Sequence, residues 1–204
     1  MKATRSPMLT KVAEANFPSR FGHFRIYGFE GTYDEEIEEC VVLRLGDVSS
    51  PGEPPLVRIH SQCLTGDVFH SLRCDCRLQL ELSLNLIAEE GRGLLIYEHQ
   101  EGRGIGLLNK LRAYELQDDG ADTVEANERL GFEADLRDYQ MPADILRYFK
   151  IRSVRLLSNN PDKITALENA GIVVAERVPC LVTPHESAAG YLKTKKQKLG
   201  HLLD

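Results

Sequence analysis

The chain has 204 residues, 42% of them hydrophobic and 27% charged, with a formal net charge of −6. That is enough apolar mass for a sizeable core, and the acidic balance argues against a nucleic-acid partner, which calls for a basic face. No run of about 18 apolar residues occurs and "MKATRSPMLTKVAEANFP" lacks the apolar centre of a signal peptide, so a cytoplasmic protein without a membrane span is expected.

In chain order, "FGHFRIYGFEG" and "EECVVLRLGDV" read as strands rich in β-branched and aromatic residues, and "LVRIHS" as a third. "SSPGEPP" breaks the chain between them. "RLQLELSLNLIAEEGRG" alternates Leu like a strand, but its helix-forming composition and Gly91 at the end predict a helix burying Leu80, Leu84 and Ile87. "GLLIYEH" is a strand. "IGLLNKLRAYELQDD" is a helix with Leu108, Leu111 and Leu116 on or near one face. An irregular stretch follows, with a short helix near "TVEANERL". Then come helix "ADILRYFK", strand "SVRLLS", helix "PDKITALENA" and strand "IVVAERV". Alternating strands and helices indicate an α/β layer. The expected fold is α/β, with mixed sheets and flanking helices, a β-rich N-terminal part and an alternating strand/helix C-terminal part, over a single domain, 1–204.

"CLTGDVFHSLRCDC" sets Cys63, Cys74 and Cys76 within fourteen positions. Clustered cysteines in a reducing compartment more often serve a metal or catalysis than a disulfide. Three thiolates with no second C-x2-C knuckle suit one zinc per chain with a position left open, which lowers the pKa of bound water toward about 7. A structural site closed by His60 or His70, or three unliganded buried thiols, stay open as alternatives. A deaminase is disfavoured, because C-x-C replaces the C-x-x-C of that class.

"EGRGIG" follows a strand and opens a helix, a place where backbone N–H groups can approach an anion. A tight turn is the plainer reading. In "SNNPDK", Asn160 can cap and Pro161 fits the first helical position. Asp135 and Arg137 in "ADLRDY" form a candidate ion pair.

Taken in one register, "VRIHSQCLTGDVFHSLRCDCRLQLE", "EGRGIGLLNKLRAYELQDDGADTVEAN", "LGFEADLRDY", "RLLSNNPDK" and "YLKTKKQKLGHLL" closely resemble GTP cyclohydrolase II, from about residue 10 to the end. The resemblance implies GTP as substrate, zinc on Cys63, Cys74 and Cys76, and magnesium with the triphosphate. It also implies release of formate and pyrophosphate at the opening of riboflavin biosynthesis, and a homodimer. By the same resemblance Asp135 is the proton acceptor, Arg137 the nucleophile or clamp on the α-phosphorus, and Tyr114 a group near the zinc. Arg58, Gln79, Glu101, Gly102, Arg103, Thr123, Ser158 and Lys163 fall on substrate contacts. A carboxylate can accept from a guanine edge, which makes Glu101 the candidate for base selectivity. Three positions depart from the family pattern: Gln62 stands for Glu, Arg77 for Gly, and Ser158 for Thr. Arg77 either reaches the phosphates, the favoured reading, or crowds a turn. A diverged, non-catalytic or altered-product GTP-binding relative is the alternative.

Overall fold

The computed structural model describes residues 8–33 and 35–203. A seven-stranded sheet runs through the molecule: β1 (Met8–Ser19), β2 (Gly22–Tyr33), β3 (Glu36–Leu45), β4 (Leu56–Ser61), β5 (Gly93–Glu98), β6 (Ser153–Leu157) and β7 (Val173–Val178), in the order β1-β2-β3-β5-β4-β6-β7. β1, β2, β3 and β5 pair antiparallel, while β5, β4, β6 and β7 pair parallel. The expected β-rich opening and alternating second half therefore meet in one mixed sheet, and β5 is where the pairing changes sense.

β1 has no counterpart among the sequence expectations. Most of its residues are exposed, it carries Pro18, and its register shifts between Lys11 and Ala13. An edge strand held by one neighbour needs no apolar alternation, and charges, a bulge and proline there discourage pairing with other chains.

Helices cover both faces. α1 (Leu64–Asp67) and α2 (Cys76–Glu90) follow β4. The Leu alternation of α2 is resolved as helix, with Leu84 and Ile87 buried, Leu80 partly so, and Gly91 closing it at φ 71. This helix packs with Phe24, Leu56, Leu95 and Leu157 on one sheet face. α3 (Leu107–Asp118) is the expected helix, but most of its leucines do not face the core. Leu108 is 72% and Leu111 42% exposed, and only Leu116 packs, against the Ala113, Ala121 and Ala126 cluster. The helix lies at the rim and turns Lys110, Ala113 and Tyr114 inward, so its apolar face is not a core face. α4 (Thr123–Arg129) begins with a reciprocal capping box between Asp122 and Glu125.

α5 (Gln140–Tyr148) and α6 (Pro161–Asn169) cover the opposite face over Val57, Ile59, Leu94, Ile96 and Leu156. Asn160 caps α6 as expected, its Oδ1 accepting from Asp162 N at 3.0 Å. α7 (Ala189–Lys198), like α1, was not foreseen. Each buried Leu, Ile or Val contributes roughly 1.5–3 kcal/mol relative to exposure, so alternate residues of β4 are fixed to opposite layers. The loops after β4, β5 and β6 leave from the C-terminal edge of the parallel strands, where open α/β sheets bind ligands.

Candidate active site

The loop after β4 gathers the thiols. Cys63 precedes α1, Cys74 follows it, and Cys76 is the first residue of α2. Their Sγ atoms all lie within 4.8 Å of one another, with Cys63 and Cys74 3.7 Å apart, and no disulfide joins them. Gly66 lies beneath them: a Cβ there would fall 2.9 Å from Cys74 Sγ and 3.1 Å from Cys63 Sγ. The Cys63 thiol is held far below its usual pKa by hydrogen bonds with Cys74 and Cys76, and its hydrogen bond to Cys74, with burial, pushes Cys74 up to about 11. Three thiols this close cannot all ionise alone, but a soft divalent cation lets them. The donor set fits zinc with a position left for water.

Asp67 fixes this loop. Its buried Oδ2 accepts from Cys63 N at 3.0 Å and from the Tyr97 hydroxyl at 2.8 Å, and both its oxygens lie 3.2 Å from His60 Nε2. His60 is thus committed to Asp67 and stacked on Tyr97, with burial pushing its pKa down. His70 is exposed. Neither joins the thiols, and among the described residues no other His, Cys or carboxylate does. Lys110 Nζ donates to Cys63 Sγ at 3.1 Å, Thr65 Oγ1 at 3.0 Å and Glu101 Oε1 at 2.7 Å. Tyr114 reaches the loop through Thr65, 3.0 Å from its hydroxyl.

A pocket opens beside the thiols. Arg58, Gln79, Glu101, Gly102, Arg103, Tyr114, Thr123, Arg137, Ser158 and Lys163 all line it with the three cysteines. Arg58 donates to Gln79 Oε1 at 2.8 Å and to Leu157 O at 2.9 Å. Lys163 donates to Ile59 O at 2.8 Å, and burial, then Arg137 and Arg58, push its pKa well down. Gly102 and Arg103 both sit at φ 64 and Gly104 at φ 90. Strain at a non-glycine such as Arg103 persists only where the surroundings impose it, and one of its Nη atoms is buried without a partner.

Three of the expected residues already have partners of their own. Asp135 does not line the pocket. It grips Arg137 through both carboxylate oxygens, and although burial opposes its charge, Arg137 holds it below the usual carboxylate range. Glu101 fills three of its four acceptor positions with Lys110 Nζ, Gly102 N and Leu64 N, leaving one where a guanine edge would use two. Arg77 does not line the pocket: it donates to Asp67 O at 2.7 Å and pairs with Glu81 at 2.8 Å, which counts against the favoured phosphate contact. Gln62 lines the pocket, and the Ser158 hydroxyl accepts from Asn160 N at 3.0 Å.

Several residues here escaped the sequence reading. Lys110 stands one helical turn before Tyr114, a spacing that could have flagged it. Asp67 and Tyr97 carry no local signal. Tyr191, Lys195 and His201 lie in the terminal "YLKTKKQKLGH" and line the same pocket.

The family profile described as "GTP cyclohydrolase II" matches residues 10–179. The chain is 53% identical over 195 residues to "GTP cyclohydrolase-2" of Actinobacillus succinogenes, covering 96% of this chain and 88% of that one. It is 51% identical over 192 residues to the protein of the same name from Haemophilus influenzae strain PittGG, covering 94% and 88%. With "Riboflavin biosynthesis protein RibBA" of Chlorobium phaeovibrioides it shares 52% identity over 199 residues, 98% of this chain but 48% of the relative, so it spans about half the length of that protein. Among solved structures, "RibBX, a two domain 3,4-dihydroxy-2-butanone 4-phosphate synthase from A. baumannii" overlaps at TM-score 0.46 and 16% identity, over 83% of this chain and 40% of that one. On its sequence, this chain belongs to the GTP cyclohydrolase II family.

Proposed function

We propose that the protein hydrolyses GTP at two places. It opens the imidazole ring and releases C8 as formate, and it splits the α–β phosphoanhydride to release pyrophosphate. The product is 2,5-diamino-6-ribosylamino-4(3H)-pyrimidinone 5′-phosphate, the first step toward riboflavin. The observation that carries the reading is the meeting, in one pocket, of a three-thiol cluster with a set of buried cations. A zinc ion on Cys63, Cys74 and Cys76 would supply activated water at neutral pH.

The protein's own groups divide the rest. Arg58, Arg103, Arg137 and Lys163 hold the phosphates, with magnesium accompanying the triphosphate. Arg137 acts as a clamp at the α-phosphorus, because a guanidinium stays protonated and is a poor nucleophile. Asp135 aims Arg137, and once a phosphate draws the guanidinium away, the freed carboxylate accepts a proton. Tyr114 orients the base edge near the thiols through Thr65, and Gln79, Gly102, Thr123 and Ser158 shape the pocket. Glu101 offers its remaining acceptor position to the base. Ordinary charge content and the family's biosynthetic role support a cytoplasmic protein folded as one domain, and no described helix is long and apolar enough to cross a membrane. Exposed Phe69, Leu72, Leu108 and Leu111 provide apolar surface for a homodimer. A non-catalytic relative is not favoured, since every chemistry-bearing residue of the pattern is present.

The test is incubation of the zinc-loaded protein with GTP and magnesium, assaying formate and pyrophosphate, with ATP as control. Formate from GTP and none from ATP is expected. No formate from a folded, zinc-replete protein would overturn the reading.

A further inference from the structure

The pocket has a wall that the family pattern did not assign. α7 and the turn after it bring Tyr191, Lys195 and His201 to line it. The segment is tied down at both ends and in the middle. Lys198 pairs with Asp122 and Glu125 at the start of α4. Lys195 Nζ meets Asp75 Oδ1 at 3.1 Å, and Leu202 N donates to Asn159 O at 2.8 Å in the loop after β6. His201 N donates to Lys195 O at 3.0 Å, which sets the imidazole beside the lysine. The strap thus crosses from the thiol loop, where Asp75 stands between two of the cysteines, to the loop carrying Ser158.

The charge of the enclosed space is one-sided. Seven Lys or Arg residues line it, against one carboxylate, Glu101. Lys195 is buried, and its ammonium lies 4.5 Å from the Tyr191 ring centroid. An ammonium has three donors; Asp75 takes one, and the ring face needs at most one more. The Tyr191 ring also has the Arg103 guanidinium 5.9 Å from its centroid, and that group carries the buried, unpartnered Nη. Burial, then Lys195, Arg137, Lys163 and Arg103, hold the His201 imidazole uncharged, with a pKa of about 3. A partly buried ring among four cations is a position that a polyanion relieves.

We infer that Lys195 and His201, carried on this strap, are binding residues for the polyphosphate of the substrate, with Tyr191 as the platform that aligns Lys195 and Arg103. This rests on the reading of the pocket as a GTP site and extends it to a third side. The cations of the sheet edge, Arg58 and Lys163, grip the phosphates from below, and the strap completes the enclosure. Water is then excluded from the phosphates except where the chemistry needs it, and each contact gains strength in the drier site.

The experiment uses the zinc-loaded full chain and two probes, inorganic tripolyphosphate and a non-hydrolysable GTP analogue, titrated calorimetrically. Lys195→Met is expected to weaken both by about tenfold or more, and Lys195→Arg to restore most of the affinity, as for a charge-assisted contact. Lys195→Met leaves Asp75 without its ammonium, so His201→Glu serves as the second variant. It keeps that pair intact and sets a negative charge against the phosphates, and it too should weaken both probes at least tenfold. Circular dichroism and zinc content report on the fold. Folded, zinc-replete variants that bind tripolyphosphate as tightly as the native chain would overturn the inference, as would a native chain that binds no tripolyphosphate at all. Failure of the broader reading looks different: tripolyphosphate binding that responds to both variants, with no formate from GTP, would keep the polyphosphate strap and remove the reaction.

Discussion

The ammonium of Lys110 lies 3.1 Å from the Sγ of Cys63. It balances charge beside three thiols that together would leave a divalent zinc site with net negative charge. The same ammonium joins Thr65 and Glu101, so it also braces the loop. Removing an outer partner of a metal ligand typically costs about 10–100-fold in metal affinity. Lys110→Met should therefore lose zinc to a chelator at correspondingly lower concentration. Competition with a chromogenic chelator measures this; unchanged zinc retention would leave the lysine only as a brace between Thr65 and Glu101.

On the proposed reading, ring opening and pyrophosphate release use different groups. Cys74→Ser weakens the metal site but leaves Arg58, Arg137 and Lys163 in place, so a folded variant should release no formate yet still cleave GTP to GMP and pyrophosphate. Arg137→Ala should lose pyrophosphate release by a factor of about 100 or more, the usual loss on removing a transition-state donor. Chromatography of the products separates the two outcomes. Native formate release by Cys74→Ser would detach the thiols from C8 chemistry.

Arg77 binds Asp67 O and Glu81 rather than the pocket. Arg77→Gly should leave the affinity for a GTP analogue unchanged within about twofold. Stability should fall by roughly 1 kcal/mol, the worth of one hydrogen bond on a partly exposed site. Titration and thermal unfolding of the same preparation check both halves.

Glu98 is a buried carboxyl on β5, 3.4 Å from Ser61 Oγ, with its other oxygen unpartnered. Burial raises its pKa from 4.5 to about 7 against the pull of Lys163 and Arg137. The folded state thus holds this proton more tightly than the unfolded chain does. Stability is greatest below about pH 4.5 as far as this group is concerned, falls as pH rises toward 7, and then levels. The span corresponds to a loss on the order of 3 kcal/mol. Glu98→Gln should flatten that slope in denaturant unfolding between these pH values. An identical slope in the variant would assign it to other groups.

What the sequence made legible was local. The thiol loop, the Asn160 cap and the end of α2 at Gly91 are written within a few adjacent residues, and the structure has them where the pattern pointed. What it hid was tertiary. β1 is a strand because β2 pairs with it, not because of an apolar alternation. Leu108 and Leu111 follow a helical period yet face outward, since a period names a face and not what lies opposite it. Asp67 meets His60, Cys63 and Tyr97 only once β4 and β5 lie side by side. The terminal strap was matched as a motif, but its arrival at the pocket depends on contacts with Asp75 and Asn159, 120 and 43 positions before Lys195 and Leu202.

β4 deals its side chains alternately to two layers. Arg58 and His60 go to the side of Gln79 and Asp67, while Ser61 goes to Glu98, Arg137 and Lys163. Because the period of a strand is two, a shift of one residue exchanges the layers. Length variation along this chain is therefore unequal in its effect. One extra residue within Leu56–Ser61 would carry the Ser61 hydroxyl under the thiol loop and the Asp67 partner into the opposite core, erasing both halves of the site together. One extra residue in the exposed turn at 49–53 would change neither. Natural insertions and deletions, and any library that varies length, should accumulate in that turn and be absent from Leu56–Ser61.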